Sequence, residues 1–570
     1  MRRRGGHPFI KSADVFLIRP TKYDDDGYLL RHWRGILPSN SLAALHALTL
    51  DVARRSALGP IEIRAHLCDE SVAAVPERAI RRALRRRRNR VIVCLVGVQT
   101  SQFPRAVVLA SRLRSYGASV LVGGFHVSGS LAMLPATTPE LQELLDCGVT
   151  LVAGEVESAW KAILADAIAG RLHPLYDLLE ARPDLSSAPV PRLDDRVLRR
   201  FVWRHFATLD AGRGCPFACS FCTIINVQGR EMRARSPDCI LAAVRENQRR
   251  SAISHYFFTD DNFARHPDWR GIFRRLIHLR ETTGERIHFL MQADLLSHRL
   301  ADFVAMARDA GCFQVFLGME SLDAEALHAS GKRQNRVDEY ASLVRAWQEA
   351  GILVHVGYIV GFPHDTPESV ARSVRALQAL GVDVASFFMM CPLPGSADHL
   401  RLVREGVQLD GDLGRYDTFH PVMDHPRMSR AEWTAAYQDA WRTFYEPDYM
   451  RARLAAMPHE QRVTLAQIYL WYRSATVVDR FHPMMCGFFR LKPRHDRAPG
   501  IDVDRRLQHL RRRIPEVARS VAGYVSIVRE QRALWDAGMS AGDSRGWAGF
   551  LSKMLARKRL NPISSLLRRA

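Results

Sequence analysis

The chain has 570 residues, of which 47% are hydrophobic, and carries a formal net charge of +21. That length excludes a single ordinary core and predicts two or three domains, while the apolar share excludes wholesale disorder. Only seven of the 81 basic residues are lysine, and arginine runs through every segment, so the charge reads as a compositional bias as much as a surface for nucleic acid or anionic membrane.

The start, Met1-Arg-Arg-Arg-Gly-Gly, is basic but is followed by no apolar signal core, and no stretch approaches the roughly 18 apolar residues that span a bilayer. A soluble, cytoplasmic protein is expected. Its ten cysteines are scattered apart from one tight group, which in a reducing compartment favours metal ligation over disulfides.

In chain order, the apolar runs 14 to 18 and 91 to 96 read as buried parallel strands. Gly97-Val98-Gln99-Thr100 follows the second, then a helical pattern, then a strand from Ser119 ending at Gly123-Gly124. Val149 to Val152 is a further strand, ending at Gly154-Glu155. Four strands alternating with helices predict a doubly wound (Rossmann or flavodoxin-like) α/β domain over residues 10–180, with ligands beyond the carboxyl ends of its strands. The densest basic run, Arg81 to Arg90, has no interleaved aromatics and reads as a solvated helix face. Residues 172–198 are rich in Pro, Ser and Asp, and a linker is placed at 181–200.

Over 201–410, six strand-like runs alternate with amphipathic helices: Phe206 to Leu209, His255 to Phe258, Ile287 to Met291, Gln314 to Leu317, Leu353 to Val360 and Val384 to Met389. Six units are too few for a closed eight-stranded barrel and predict a partial (β/α)6 barrel with its chemistry at the strands' carboxyl ends. Residues 411–570 read as mainly helical, including 429–445, 458–476 and 504–534, a cap or a lid of unassigned role.

Directly after the first barrel strand stands Gly212-Arg213-Gly214-Cys215-Pro216-Phe217-Ala218-Cys219-Ser220-Phe221-Cys222. Three thiolates on a four-iron cube leave one iron open, and that iron can chelate the amino and carboxylate groups of S-adenosylmethionine (SAM). An electron from the reduced cluster can then cleave the sulfonium and release a 5′-deoxyadenosyl radical. Zinc is the alternative, but it prefers four closed ligands, and no second cysteine pair lies nearby.

The C-x3-C-x2-C motif resembles that of the radical SAM superfamily. The resemblance implies a 4Fe-4S cluster on Cys215, Cys219 and Cys222, with Phe221 against SAM. It places Thr259, Asp260 and Asp261 where many members carry Gly-Gly-Glu for the SAM amino group. Glu320 and Ser321 fall at the ribose or carboxylate, and Gly357, Ile359, Gly361 and Pro363 match the G-x-I-x-G-x-P strand that meets the adenine.

An α/β domain before such a barrel resembles the cobalamin-binding branch of the superfamily. The matching residues are Gln99, Gly123, Gly124, His126, Ser128, Gly154 and Glu155, where glycines let backbone approach a bulky flat ligand. The Asp-x-His-x-x-Gly signature of an axial histidine is not intact: Leu30 stands where aspartate would orient His32, which favours a histidine-off cofactor.

The resemblance implies methylation of an unactivated carbon of a small-molecule or lipid substrate, with an external electron donor of flavodoxin or ferredoxin type. Ring closure, rearrangement or oxidation with the same cofactors is an alternative. Nucleic-acid modification is another, disfavoured because Cys68, Cys94 and Cys147 are isolated. The tail Trp547 to Ala570 offers a peripheral membrane contact.

Overall fold

The computed structural model describes residues 10–537. Met1-Arg-Arg-Arg-Gly-Gly and the tail 547–570 lie outside the described residues.

The amino-terminal strands are β1 (Ser12–Arg19), β2 (Arg31–Gly35), β3 (Glu62–Asp69), β4 (Asn89–Leu95), β5 (Ser119–Gly123), β6 (Thr150–Gly154) and β7 (Leu175–Leu178). Six of them form one parallel sheet in the order β3-β1-β4-β5-β6-β7. The apolar interior of β1 is buried along its length, as helices on both faces of a parallel sheet require. The order reverses at β1 and β4, which puts the topological switch point beyond Arg19 and Leu95.

Two strands exceed the four expected. β3 is an edge strand with charged residues in its pattern, Glu62-Ile-Arg-Ala-His, so it lacks the continuous apolar run of the central strands. β7 falls inside the Pro- and Asp-rich stretch read as linker and closes the opposite edge. The basic run is likewise only partly a helix face. The helix Glu77–Leu84 ends inside it, Arg81 stacks on Tyr116, Arg86 pairs with Asp14 at 3.3 Å, and Arg90 already belongs to β4.

The second half begins with β8 (Phe206–Leu209), β9 (Gly212–Arg213), β10 (Arg233–Ala234), β11 (His255–Phe258), β12 (His288–Ala293), β13 (Cys312–Glu320), β14 (Leu353–Val360) and β15 (Val384–Met389). β8 and β11 to β15 form a parallel six-stranded sheet in sequential order, the partial barrel expected, with free edges at β8 and β15. β9 and β10 pair antiparallel and frame the loop that carries the three cysteines.

The carboxyl-terminal region closes the barrel's open side. Its helices are Arg430–Phe444, Pro447–Ala456, His459–Arg473 and Arg506–Ala537. Tyrosines satisfy the exposed edge of β15. Tyr445 Oη donates to the Ala385 carbonyl at 2.6 Å and accepts from its amide at 3.0 Å, while Tyr469 donates to the Asp383 carbonyl at 3.0 Å. An edge that would otherwise leave backbone groups unpaired is thereby covered. The region is not wholly helical: β16 (Gly487–Leu491) pairs antiparallel with β2, some 450 positions earlier.

Candidate active site at the carboxyl ends of the barrel strands

The cysteine loop is held mainly by backbone. The Cys215 amide donates to Gly229 at 3.2 Å and the Ser220 amide to Ser330 at 2.9 Å. Gly214 (φ +97°) sits where a Cβ would collide with the Glu231 carbonyl, so this turn needs glycine. All three cysteines are free thiols. The Asn262 amide lies 4.0 Å from Cys215 Sγ, and the Gln334 amide 3.7 Å from Cys219 Sγ. Burial pushes the Cys215 thiol up and the Cys222 thiol up to about 12.

Among the described residues, no group of three or more His, Cys, Asp or Glu converges as a single bound ion requires. The donor set instead suits a cluster. It offers three thiols on one loop, N–H groups aimed at two of the sulfurs, and a buried cation, Lys332, close enough for its charge to act on Cys219 and Cys222. Such N–H···S contacts stabilise thiolate and tune an iron-sulfur group.

Lys332 pairs with Glu320 and lies 5.6 Å from the Phe221 ring centroid. Burial works against its charge, but Glu320 and Cys219 outweigh it and raise its pKa. Glu320 itself sits at φ +62°, where a register shift interrupts the pairing of β13 with β14. A left-handed non-glycine at a strand end is costly and aims this side chain into the barrel. Gly318 leaves room for the pair, since a Cβ there would meet Lys332 Nζ at 2.8 Å. Ser321 is buried one residue on, its carbonyl accepting from Tyr340 at 3.2 Å.

At the end of β11, the Thr259 amide donates to Leu209 at 2.9 Å. Asp260 is buried and accepts from the Ala211 amide at 2.9 Å, while its other oxygen has no hydrogen-bond partner. Burial raises its pKa to about 8 and that of Asp261 to about 7. Next to them, Asn262 bonds Asp294 at 3.0 Å and Arg265 grips Asp294 at 2.6 Å. Sequence reasoning passed over Asn262, Asp294, Gln334 and Lys332. Asn262 was visible within Asp260-Asp261-Asn262, but the others reach the site from separate loops.

Gly357 and Gly361 have packing reasons of their own. A Cβ on Gly357 would come within 2.7 Å of Phe316, and one on Gly361 (φ +110°) would enter the Trp433 ring. Ile359 is buried and Pro363 exposed.

The amino-terminal residues gather at the carboxyl edge of their sheet. Gln99 caps the short turn Thr100–Gln102. Gly123 sits against the Val152 carbonyl, Gly124 against the backbone of Val98, and Gly154 against Leu178, so their freedom serves close backbone contacts. The Ser128 hydroxyl accepts from the Gly154 amide at 3.0 Å. His126 is fully buried against Phe103. Its Nε2 has the Glu140 carboxylate at 3.7 Å, beyond hydrogen-bond length, and Ser130 Oγ and His399 Nδ1 are further buried polar atoms without a hydrogen-bond partner. Such a set fits the polar tail of a corrinoid, because buried polar atoms are costly unless satisfied. His32 is locked in the β2–β16 pair, with burial and Arg490 depressing its pKa.

Glu155 ties the two domains together. Arg213, two residues before Cys215, reaches Glu155 at 2.7 Å, Glu157 at 2.6 Å and Asp210 at 2.9 Å, and Arg233 reaches Glu155 at 3.0 Å. The amino-terminal domain is thus anchored on the strand that leads into the cysteine loop.

A cavity of about 1680 Å³ fills the barrel and continues beneath the carboxyl-terminal helices. Glu320 and Gln292 line one part of it, and Trp203, Phe316, Phe388, Trp471 and Phe488 dominate its walls.

Residues 210–396 match the radical SAM superfamily, a domain that implies a 4Fe-4S cluster and SAM. Its overall fold is the one found in cobalamin-dependent radical SAM enzymes. The radical SAM methyltransferase TsrM from Kitasatospora setae, solved with cobalamin and a [4Fe-4S] cluster, superposes with a TM-score of 0.56 at 16% identity, over 81% of this chain and 100% of that one. OxsB, a cobalamin-dependent SAM radical enzyme solved with aqua-cobalamin and SAM, gives 0.54 at 13% identity, over 96% and 84%. In sequence, the chain is 24% identical over 371 residues to the bacteriochlorophyllide d C-12(1)-methyltransferase of Chlorobaculum tepidum, covering 64% of this chain and 77% of the relative. No helix among the described residues is long and apolar enough to cross a membrane.

Proposed function

We propose that this protein is a cobalamin-dependent radical SAM methyltransferase acting on a carbon of a small-molecule or lipid substrate, in the cytoplasm, with an external flavodoxin- or ferredoxin-type electron donor. The observation that carries the reading is the Arg213 junction, which fixes an α/β domain beside the cysteine loop and next to a large cavity. Methyltransferase relatives of the same build support it.

In this reading Cys215, Cys219 and Cys222 hold the cluster, which supplies the electron that cleaves SAM. Asn262 and Gln334 donate toward two of the sulfurs. Glu320 and Ser321 contact the ribose or carboxylate of SAM, and Lys332 pairs with Glu320 and orients it. Thr259, Asp260 and Asp261 meet the amino end, Phe221 lies alongside, and the backbone from Gly357 to Pro363 meets the adenine. Gln99, Gly123, Gly124, His126, Ser128, Gly154 and Glu155 cradle the corrinoid, which supplies the methyl group when bound. The chain's part is to position reactants and exclude water while the cofactors carry the difficult chemistry.

The test is product analysis with methyl-labelled SAM on reconstituted, cobalamin-loaded protein supplied with substrate. Methylation yields labelled product, S-adenosylhomocysteine and 5′-deoxyadenosine together. Substrate conversion with 5′-deoxyadenosine alone would replace this reading by ring closure or oxidation.

A further inference from the structure

Three features of the barrel cavity define what it takes. Its volume of about 1680 Å³ exceeds the roughly 300–1,000 Å³ of ordinary ligand pockets. Its lining is mainly apolar. His355, one of the polar residues lining it, is satisfied by Gln314 at 2.9 Å and Ser386 at 2.9 Å, and burial with His482 nearby pulls its pKa down to about 3. Such a wall offers a ligand contact area without charge.

One rim is different. Arg34, Arg199, Arg200 and Arg204 line it beside the entry to β8, and Arg286 lines it just before β12. Among the described residues, none of the five has a carboxylate within ion-pair distance; Arg34 donates to the Arg199 carbonyl and Arg199 to the Asp195 carbonyl, and burial with Arg200 nearby lowers the pKa of Arg34. The cavity's acids do not offset them. Glu320 is paired with Lys332, Asp479 accepts from the Tyr524 hydroxyl at 2.9 Å and lies outside ion-pair range of the five arginines, and Glu460 is exposed. Guanidinium groups in this arrangement match carboxylate or phosphate oxygens.

We infer that the cavity binds an amphiphile with a large apolar body and an anionic end group, the anion on the arginine rim and the body along the lumen with its far end at Glu320 and Gln292. The inference rests on the proposed function only for which end reacts. The anionic end fixes depth, so the length of the body selects the carbon presented beside the cysteine loop.

The test is equilibrium fluorescence binding of a pyrene-labelled hexadecanoic acid and its methyl ester to the full-length protein, which requires neither cluster nor SAM. The acid is expected to bind about tenfold tighter than the ester, and the Arg199→Gln/Arg200→Gln/Arg204→Gln variant to abolish that preference while still binding the ester. Val528→Trp, which fills the lumen, is expected to weaken both probes alike. Far-ultraviolet circular dichroism checks that each variant is folded. A second arm adds phosphatidylglycerol vesicles without free probe. Equal affinity for acid and ester, a preference that survives in the triple variant, or binding to vesicles alone would overturn the inference. A failure of the methylation assay with probe binding intact would instead count against the proposed function.

Discussion

Replacing Arg213 with Met should uncouple the amino-terminal domain from the cysteine loop, and the structure sets how much stability goes with it. Its guanidinium serves three nearly buried carboxylates, with side-chain exposures of 9% for Glu155, 7% for Glu157 and 3% for Asp210. Burial opposes the arginine's charge, but Asp210, Glu157 and Glu155 hold it protonated. Two of the three retain another cation, since Arg233 reaches Glu155 at 3.0 Å and Arg235 lies 3.5 Å from Asp210. Glu157 keeps none. Stranding one buried carboxylate costs about 3 kcal/mol, the low end of the range for breaking a buried pair. Adding Glu157→Gln removes the stranded charge and should return about 1 to 2 kcal/mol of that loss. Urea unfolding followed by tryptophan fluorescence measures both variants, and iron content after reconstitution reports the cysteine loop. An unfolding midpoint for Arg213→Met equal to wild type, or a double variant no more stable than the single, would refute this reasoning.

Glu320→Gln should weaken SAM binding about tenfold by removing a charge-assisted contact, as measured by calorimetry on the reconstituted protein. Gly361→Ala should destabilise the protein by about 2 kcal/mol or more in urea unfolding, because a Cβ at φ +110° is strained and would enter the Trp433 ring. Burial raises the pKa of Asp260 to about 8, above its ordinary value near 3.9. The folded state therefore holds a proton that the unfolded state has lost between those values, and stability falls as pH rises through that window. Asp260→Asn should flatten that slope in urea titrations at pH 5, 6.5 and 8.

The barrel was readable from sequence because each strand is a short apolar run whose period differs from that of the helix after it. β8, β11, β14 and β15 fall at the bounds expected from sequence. The cysteine loop was readable because its chemistry is local. Elsewhere the decisive contacts are not local. β3 and β7 are edge strands whose polar residues hide the pattern. The β2–β16 pair joins segments some 450 positions apart, which no periodicity reveals. Lys332 and Gln334 reach the cysteines from a loop more than 100 positions later. Glycine carries a double meaning: Gly124, Gly154 and Gly361 match ligand motifs, yet the space beside each is taken by the chain's own atoms. The carboxyl-terminal region read as featureless helix because its tyrosines act on the β15 edge and its aromatics on the cavity, both assembled only on folding.

The claim beneath all of this is that three thiolates anchor a cluster whose remaining iron is left for SAM. It is tested by measuring iron content and 5′-deoxyadenosine formation under reducing, anaerobic conditions in the wild-type protein and in Cys215→Ala, Cys219→Ala and Cys222→Ala. About four irons per wild-type chain are expected, with cleavage of SAM abolished by each substitution. Undiminished 5′-deoxyadenosine from any one of the three variants would contradict it.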